Sequence, residues 1–587
     1  MAAALGIVTL AARLATAATG PTDWDAVQFA VGSARFDVRH GAPHPPGYFL
    51  FVTAGRALHV VTGMSATASL VLVAALASAA AAACTVIAGA DLGGRFVAGA
   101  AGTLMAASPV SWFNGSIAAT YSFDALAAAG FTVLARRARP GSRHGVVAAS
   151  AFGLAIGFRQ SIAQLFGFLV VMAVAGSARS WRTIVGAALA GAGCLAAWFV
   201  PMVVVQPGGF AAWVRATHAE ALGAYRTSSV LASTTKGLTS LGTMGAYALL
   251  LLGPVAVLGV GASVGLLALR LRRRRLPERP VSAGPESTSP PACPPASGPA
   301  RALAAPRKRR AREPQLGAGP TPGPSAACPQ RWFQRPVWVL SAALVPPLAV
   351  LGLVAFEKGG YALAFLPTAT IALLLPVASL ARRLGTQRSR ILLTVAAVGV
   401  AAIVAADGQR FLWGAGILPM RLQRDVSGLW LAQPRYLAPY PETAHTIEAA
   451  DAADAAFARL APLVRPSTDV VVMVSYERGL AYYRNVGFAL PQARVELVFP
   501  PRVVYEEHEG LLWYTSDDHV EVGPGGAAWF LVTSDAPEMT ALAPLGLAQP
   551  TGLHIAGYHL WRVLPGAHLF EIDVRATAGP RPLGYGL

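Results

Sequence analysis

The chain has 587 residues, of which 54% are apolar and only 13% are charged, and its mean hydropathy is +0.50. Soluble proteins average about 45–50% apolar and about 25% charged residues, so this composition excludes an ordinary soluble protein and indicates an integral membrane protein. Of the net charge of +18, residues 270–335 contribute 14 Lys or Arg against three acids, so the rest of the chain is too weakly basic for a nucleic-acid-binding protein.

Ten apolar runs are suited to membrane helices. They are 2–19, 66–90, 95–112, 117–135, 145–176, 183–205, 241–269, 336–356, 361–381 and 389–406. The run 145–176 would make a single helix of about 48 Å, well beyond a hydrocarbon core of about 30 Å. Because Gly157-Phe158-Arg159-Gln160-Ser161 interrupts it, a tight pair of short helices is predicted.

Charge supports this choice. If residues 145–176 cross twice, the arginine clusters at 136–143, 179–182, 270–335 and 382–390 all fall on one side, which the positive-inside tendency assigns to the cytoplasm. We therefore predict a multi-pass protein of the cell (plasma) membrane with eleven helices, a cytoplasmic N-terminus and an extracytoplasmic C-terminus. Residues 1–20 also resemble a signal peptide at Ala15-Thr16-Ala17-Ala18, but no basic region precedes them, which favours their retention.

The predicted organisation has four parts. Residues 1–270 form an N-terminal membrane domain with an outer loop at 20–65, and residues 336–406 form the C-terminal membrane helices. Residues 271–335 are rich in Arg, Pro, Gly and Ser and cannot bury a core, so a disordered cytoplasmic loop is predicted. Residues 407–587 alternate strand-like and helical stretches, which predicts an extracytoplasmic α/β domain. Strands are expected at 469–473, 494–498, 528–532, 558–563 and 569–574, and helices at 442–462 and 475–485.

The first outer loop carries the most chemistry. It places Asp23-Trp24-Asp25 and Gln28-Phe29 just after a membrane helix, and Pro43-His44-Pro45-Pro46-Gly47 follows. Ionisable groups beside a bilayer are costly unless they face a polar cavity, so a pocket is the natural inference. A carboxylate there could act as a general base, or Asp-x-Asp could hold a divalent ion. The alternative is an amphipathic interfacial helix with Asp23 as its N-cap and Phe29 against the bilayer.

These motifs resemble the first outer loop of polytopic glycosyltransferases of the GT-C fold, in particular the bacterial protein O-mannosyltransferase-like enzymes. Similar too are Ser108-Pro109-Val110-Ser111-Trp112, the Gly157–Ser161 motif, and Gly360-Tyr361 leading to Phe365-Leu366-Pro367. The resemblance covers roughly residues 20–370. It implies an inverting hexosyl or pentosyl transferase that moves a sugar from a polyprenyl-phosphate carrier to an acceptor hydroxyl, on a protein or glycan, at the outer face of the membrane.

In such enzymes an acid of the first outer loop is the catalytic base, and the matching position here is Asp25. Gln28 stands where relatives often have Glu, which puts a metal-bridging mechanism in doubt and leaves Asp23 as a helper. A leaving lipid phosphate needs a cation at the edge of the hydrocarbon, for which Arg159 and Lys358 are candidates. The alternatives are snorkelling for Arg159 and a pair with Glu357 for Lys358.

His44 is held between prolines, where it would bind sugar or phosphate or, alternatively, make a structural hydrogen bond within its loop. Tyr121 and Asp124 could line the same cavity, and the alternative for Tyr121 is an ordinary interfacial tyrosine. Asp23, Gln28 and Tyr361 complete the substrate-binding candidates. Residues 207–240 are long enough to cover the first loop as a lid. No cofactor and no metal ligand set is predicted, although a divalent ion is left open, and the four cysteines have neither disulfide-framework nor zinc-ligand spacing.

Two functions of other classes compete with the transferase. A transporter or flippase of a lipid-linked or anionic substrate would also have many helices, but such proteins usually place charges near the bilayer midplane on repeated halves. A non-catalytic envelope assembly protein would work through its outer α/β domain.

Overall fold

The computed structural model describes residues 1–577 except for several gaps. The gaps are residue 23, 229–233, 276–334, 354–358, 414–442, 466, 475–485, 487, 491–493, 499–518, 533–536, 556–557 and 571. The predicted disordered loop at 271–335, apart from its ends, and the predicted helix at 475–485 lie outside the described residues.

The membrane part of the described chain is built from fifteen α-helices. They are α1 (Ala2–Ala15), α2 (Trp24–Ala34), α3 (Phe49–Thr62), α4 (Ala66–Gly93), α5 (Arg95–Ala107), α6 (Pro109–Ser116), α7 (Tyr121–Arg137), α8 (His144–Phe158), α9 (Ile162–Ser177), α10 (Trp181–Val205), α11 (Gly209–Ser228), α12 (Thr234–Arg275), α13 (Pro336–Leu353), α14 (Leu366–Ala381) and α15 (Thr386–Trp413).

Five helices of the described chain are long and apolar enough to cross a membrane, and the bent pair α5 and α6 makes a sixth if it is one span. The five spans are Ala66–Gly93, Trp181–Val205, Met244–Leu271, Pro336–Leu353 and Thr386–Trp413. Shorter apolar helices, among them α1, α3, α8, α9 and α14, pack with them. The chain is thus a polytopic α-helical membrane protein, as predicted, while the count of eleven spans and the sides of the termini stay predictions.

Residues 145–176 form two helices, α8 and α9, separated by Arg159-Gln160-Ser161. Helix α8 packs closely along α10, and a Cβ on Gly153 would lie 2.3 Å from the backbone oxygen of Gly191. Small residues allow such close approach of membrane helices. The break therefore places Arg159 at the end of α8, which is packed tightly against α10.

The bend between α5 and α6 measures 57° and encloses a buried arginine. Arg13 of α1 is 1% exposed and donates from Nη2 to the carbonyl of Ala106, 2.6 Å away, and from Nε to Ser78 Oγ. A cation at the end of a helix satisfies carbonyls that the break leaves without helical partners. Arg13 thus fixes the bend that leads into α6 and α7.

The C-terminal part contains an α/β unit. Helix α16 (Ala444–Phe457) precedes strands β1 (Val470–Val474), β2 (Arg494–Val498), β3 (His519–Val522) and β4 (Ala528–Val532), then helix α17 (Pro537–Leu542) and strands β5 (Ala548–Ile555), β6 (Tyr558–Val563), β7 (His568–Leu569) and β8 (Ile572–Ala576). One sheet has the order β2-β1-β4-β6-β5, with β1 parallel to β2 and β4 and with β6 antiparallel to β4 and β5. The other has the order β3-β8-β7.

The larger sheet is covered on both faces. Val472 and Phe530 belong to one hydrophobic cluster and Val471 and Leu531 to another, so successive residues of β1 and β4 are buried on opposite sides. Continuous apolar runs are typical of strands with two buried faces. The predicted strands at 494–498, 528–532 and 558–563 are confirmed, whereas β3 and β5 were not predicted.

Candidate active site

Helix α2 presents the candidate base. Asp25 lies in its first turn and is partly exposed, whereas Gln28 and Phe29 are each 2% exposed. The Phe29 ring packs against Tyr48 and Phe51, at 5.1 Å between centroids in each case, and against His44 at 5.5 Å. The alternative that placed Phe29 against the bilayer is therefore wrong, because this residue is part of the protein core and holds α2 against the His44 segment.

The chain between α2 and α3 is fixed by Asp37. Its carboxylate accepts hydrogen bonds from the Arg39 guanidinium at 2.8 and 2.9 Å, from His40 Nδ1 at 2.7 Å and from Gln206 Nε2 at 3.0 Å. Burial raises the pKa of this carboxyl group, but these hydrogen bonds outweigh burial and hold the pKa well below its usual range. The loop is thereby attached to the end of α10 near Gln206.

Tyr48 occupies a strained position at the end of this loop. Its φ of 44° and ψ of 41° are left-handed, a conformation that bulky residues other than glycine rarely adopt. Strain of this kind persists only where the surroundings impose it, and it is frequent at functional sites. The Tyr48 ring lies 4.9 Å from that of His44, so the two side chains form one face of the site.

Arg159 forms a buried ion pair at the break between α8 and α9. Its Nε lies 2.6 Å from Asp124 Oδ2, its Nη1 donates to Thr120 Oγ1 at 2.8 Å, and Ser161 Oγ donates to Asp124 Oδ1 at 3.4 Å. The side chains of Arg159 and Asp124 are 5% and 0% exposed. The Arg159 guanidinium therefore does not extend into water, and the snorkelling alternative is wrong.

Two tyrosines surround the Arg159 guanidinium. Its Cζ lies 4.1 Å from the ring centroid of Tyr121 and 5.6 Å from that of Tyr361, and the two rings meet edge to face at 5.3 Å. A Cβ on Gly360 would lie 2.5 Å from the Tyr121 ring, so only glycine permits this approach. Cation–π contacts of a desolvated guanidinium are worth up to about 2 kcal/mol and fix its orientation.

The Arg159 guanidinium retains capacity for a ligand. Of its five N–H donors, one on Nε and one on Nη1 bind Asp124 and Thr120, and Nη2 has no hydrogen-bond partner in the described part of the chain. Since Asp124 neutralises the charge, an anion would be held by aimed N–H groups rather than by net charge. This is the form in which arginine binds phosphate oxygens.

Tyr48 connects the two halves of the site. Its ring packs on Phe29 of α2, Phe29 packs on Phe51, and Phe51 packs on Phe123, which directly precedes Asp124. Phe123 in turn stacks on Phe158, which directly precedes Arg159. One aromatic cluster therefore joins the helix that carries Asp25 to the break that carries Arg159. We regard the region around this cluster as the candidate reaction centre.

Helix α11 lies over the same loop. Trp213 Nε1 donates to the carbonyl of Pro46 at 2.9 Å, and the Trp213 ring packs on Phe199 at 5.2 Å between centroids. Ala212 of the same helix is buried. The first part of the predicted covering segment thus contacts the His44 loop directly.

The structure brings together most, but not all, of the predicted site residues. Arg159, Tyr121 and Tyr361 contact one another, and His44 packs on Phe29 of the helix that carries Asp25. Gln28 is buried on the same helix. Asp23 and Lys358 lie outside the described residues. No group of three His, Cys, Asp or Glu side chains able to hold a metal ion occurs within the described ranges.

Sequence reasoning missed two features of the site. It did not identify Tyr48, although its position directly after the His44-Pro45-Pro46-Gly47 motif was a signal. It named Asp124 only as a cavity-lining residue, because nothing in the spacing of Asp124 and Arg159 indicates that α7 and the α8–α9 break meet.

No protein-family model matches the chain, and no curated protein matches it. Among solved structures, the chain is similar to ArnT from Cupriavidus metallidurans bound to undecaprenyl phosphate, with a TM-score of 0.47 and 13% identity over 98% of each chain. It is also similar to the same protein in the apo state, with a TM-score of 0.44 and 12% identity over 95% of this chain and 97% of the other. Likeness at this level does not establish an activity.

Proposed function

We propose that this protein is a membrane glycosyltransferase that moves a sugar from a polyprenyl-phosphate carrier to an acceptor hydroxyl at the outer face of the membrane. The observation that carries the proposal is the aromatic cluster that joins the helix of Asp25 to the break that carries Arg159. A transferase of this class needs a base for the acceptor and hydrogen-bond donors for the leaving phosphate, and the two groups supply one each.

In the proposed reaction Asp25 removes the proton of the acceptor hydroxyl. The acceptor oxygen then forms a bond to the anomeric carbon while the bond from that carbon to the phosphate oxygen breaks, which inverts the configuration. The polyprenyl phosphate leaves with the electron pair, and its new charge is met by N–H groups of Arg159. In this proposal the phenols of Tyr48 and Tyr361 are further hydrogen-bond donors to the same oxygens.

The aromatic lining of the site suits this substrate. The rings of Tyr121 and Phe29 are buried and that of Tyr361 is partly buried, and both tyrosines lie against the Arg159 guanidinium, so water is restricted around it. Electrostatic interactions strengthen when water is excluded, which favours transfer to a hydroxyl other than water. The sugar and the acceptor are to be identified by experiment.

The test compares a strain that lacks the gene with its parent by mass spectrometry of lipid-linked sugars and surface glycans. We expect one polyprenyl-phosphate sugar to accumulate and one glycan to disappear, and expression of the wild-type gene to restore both. Asp25→Asn should fail to restore them, since the variant keeps size and polarity but loses the proton acceptor, which is worth about 10²- to 10⁴-fold in rate.

Asp91→Asn is the matched control, because Asp91 is a partly exposed carboxylate paired with Arg137 away from the site. It should restore both pools fully. An Asp25→Asn protein that is folded, inserted and as active as the control would refute the role of the base. Unchanged lipid and glycan pools in the deletion strain would favour an assembly function.

A further inference from the structure

A carboxylate of the outer domain binds the segment that leads into the candidate catalytic helix. The backbone N–H of Thr19 lies 3.1 and 3.0 Å from Asp451 Oδ1 and Oδ2, and that of Gly20 lies 2.9 Å from Oδ1. Asp451 belongs to α16, more than four hundred residues away in sequence. Two adjacent amides donating to one carboxylate are charge-assisted hydrogen bonds, which are about twice as strong as neutral ones.

The approach of the two segments is close. A Cβ on Gly20 would lie 2.4 Å from Asp454 Oδ2, one turn further along α16. The connection is also fixed from the membrane side, where the Ala18 N–H donates to the carbonyl of Ser116 at 2.8 Å. The chain from α1 to α2 is therefore held between the membrane part and α16.

Helix α16 itself belongs to two hydrophobic cores. Ala444 and Ile447 are buried in the cluster that contains Phe29 and Phe51 of the membrane part. Ala453 and Phe457 are buried in a cluster with Trp529 and Leu531 of the larger sheet. Because α16 packs in both cores, its position depends on the outer domain. Asp451 on this helix couples that position to the Thr19–Gly20 segment.

We propose that Asp451 is a positioning residue, which anchors the Thr19–Gly20 segment so that the first turn of α2 presents Asp25 to the reaction centre. The outer domain then contributes to turnover through α16 without touching the substrate. The catalytic part of this inference rests on the proposed function, whereas the anchoring part does not. A misplacement of about 1 Å at a reacting group costs about 10²-fold in rate, so the loss of such an anchor is measurable.

The anchor is tested by hydrogen–deuterium exchange of the full-length protein in nanodiscs, on peptides that cover residues 16–24. The variants are Asp451→Ala and the conservative Asp451→Asn, which keeps one carbonyl acceptor. Glu448→Ala is the matched control, because Glu448 is 70% exposed on the same helix and pairs with the exposed His445 at 3.0 Å. We expect exchange at least about tenfold faster in Asp451→Ala, an intermediate rate in Asp451→Asn and a wild-type rate in the control.

The effect on turnover is measured with the lipid-linked sugar pool extracted from the strain that lacks the gene. We expect kcat to fall about tenfold or more in Asp451→Ala with an unchanged KM for the donor, because Arg159 and its tyrosines are intact. Exchange equal to the control would overturn the anchor, and faster exchange with unchanged kcat would overturn the positioning role.

If Asp451→Ala does not fold, Asp451→Asn gives both readouts. An active Asp25→Asn protein would refute the proposed function but would leave the exchange result standing, so the two failures are distinguishable.

Discussion

The buried pair of Asp124 and Arg159 makes a quantitative prediction. Its side chains are at most 5% exposed, and Nε lies 2.6 Å from Oδ2. Removal of one partner leaves an uncompensated charge in a low-dielectric site, which costs about 3–5 kcal/mol, whereas replacement of both partners by apolar residues is often neutral. Asp124→Leu and Arg159→Met should therefore each destabilise the protein strongly, and the double variant should recover most of the loss.

The two single variants should differ. Arg159→Met leaves a buried carboxyl group that can bind a proton and become neutral, whereas Asp124→Leu leaves a guanidinium that cannot lose its charge. Arg159→Met also loses the cation–π contacts with Tyr121 and Tyr361, worth up to about 2 kcal/mol. We expect Asp124→Leu to be the more destabilising change. The destabilisation caused by Arg159→Met should become smaller as the pH falls.

The assay is a reversible unfolding titration with sodium dodecyl sulfate in mixed micelles, analysed as a double-mutant cycle. The control cycle uses Asp91 and Arg137, whose side chains are 21% and 47% exposed and whose pairing distances are 2.5 and 3.1 Å. Exposed pairs contribute about 0–1 kcal/mol to stability. Because the two pairs have similar distances, a difference in coupling energy reports the effect of burial. Equal coupling energies in the two cycles, or a double variant as unstable as the two single losses combined, would refute this reasoning.

Three further predictions follow from other parts of the molecule. Cysteine labelling in intact cells should place introduced cysteines within residues 22–60 and 440–587 outside and within 271–335 inside; an outer location of 271–335 would contradict a double crossing of 145–176. The folded pKa of Asp37 is depressed, so its contribution to stability is fully present above its unfolded pKa of about 4 and is lost as the pH falls below that value. The difference in thermal stability between the wild type and Asp37→Asn should therefore shrink below about pH 4. A difference that stays constant with pH would contradict this. Trp213→Phe removes the donor to Pro46 but keeps the packing on Phe199, so it should speed exchange of the His44 loop while Trp181→Phe, on an exposed tryptophan, should not.

The sequence alone determined the membrane class and most element positions, and it predicted the loop at 20–65 as the place of chemistry. The reason is that these depend on local signals. A hydrophobic run of sufficient length must satisfy its backbone as a helix in lipid, and short runs with Val or aromatic residues between turns predict strands such as 494–498 and 528–532. The interruption at Gly157–Ser161 was likewise local, because it lies inside an apolar run that is too long for one ordinary span.

Only the tertiary structure decided what these residues touch. Asp124 and Arg159 are 35 residues apart, and Asp451 and Thr19 are 432 apart, so neither pairing has a signal in spacing. The same holds for Phe29, which an amphipathic pattern could place equally well against lipid or against Tyr48 and Phe51. Long-range contacts follow from how helices of similar apolarity pack around one another, and in a bilayer apolar character does not select the partner. That selection comes from small residues such as Gly153 and Gly360, which allow close approach, and from buried polar groups that must find each other.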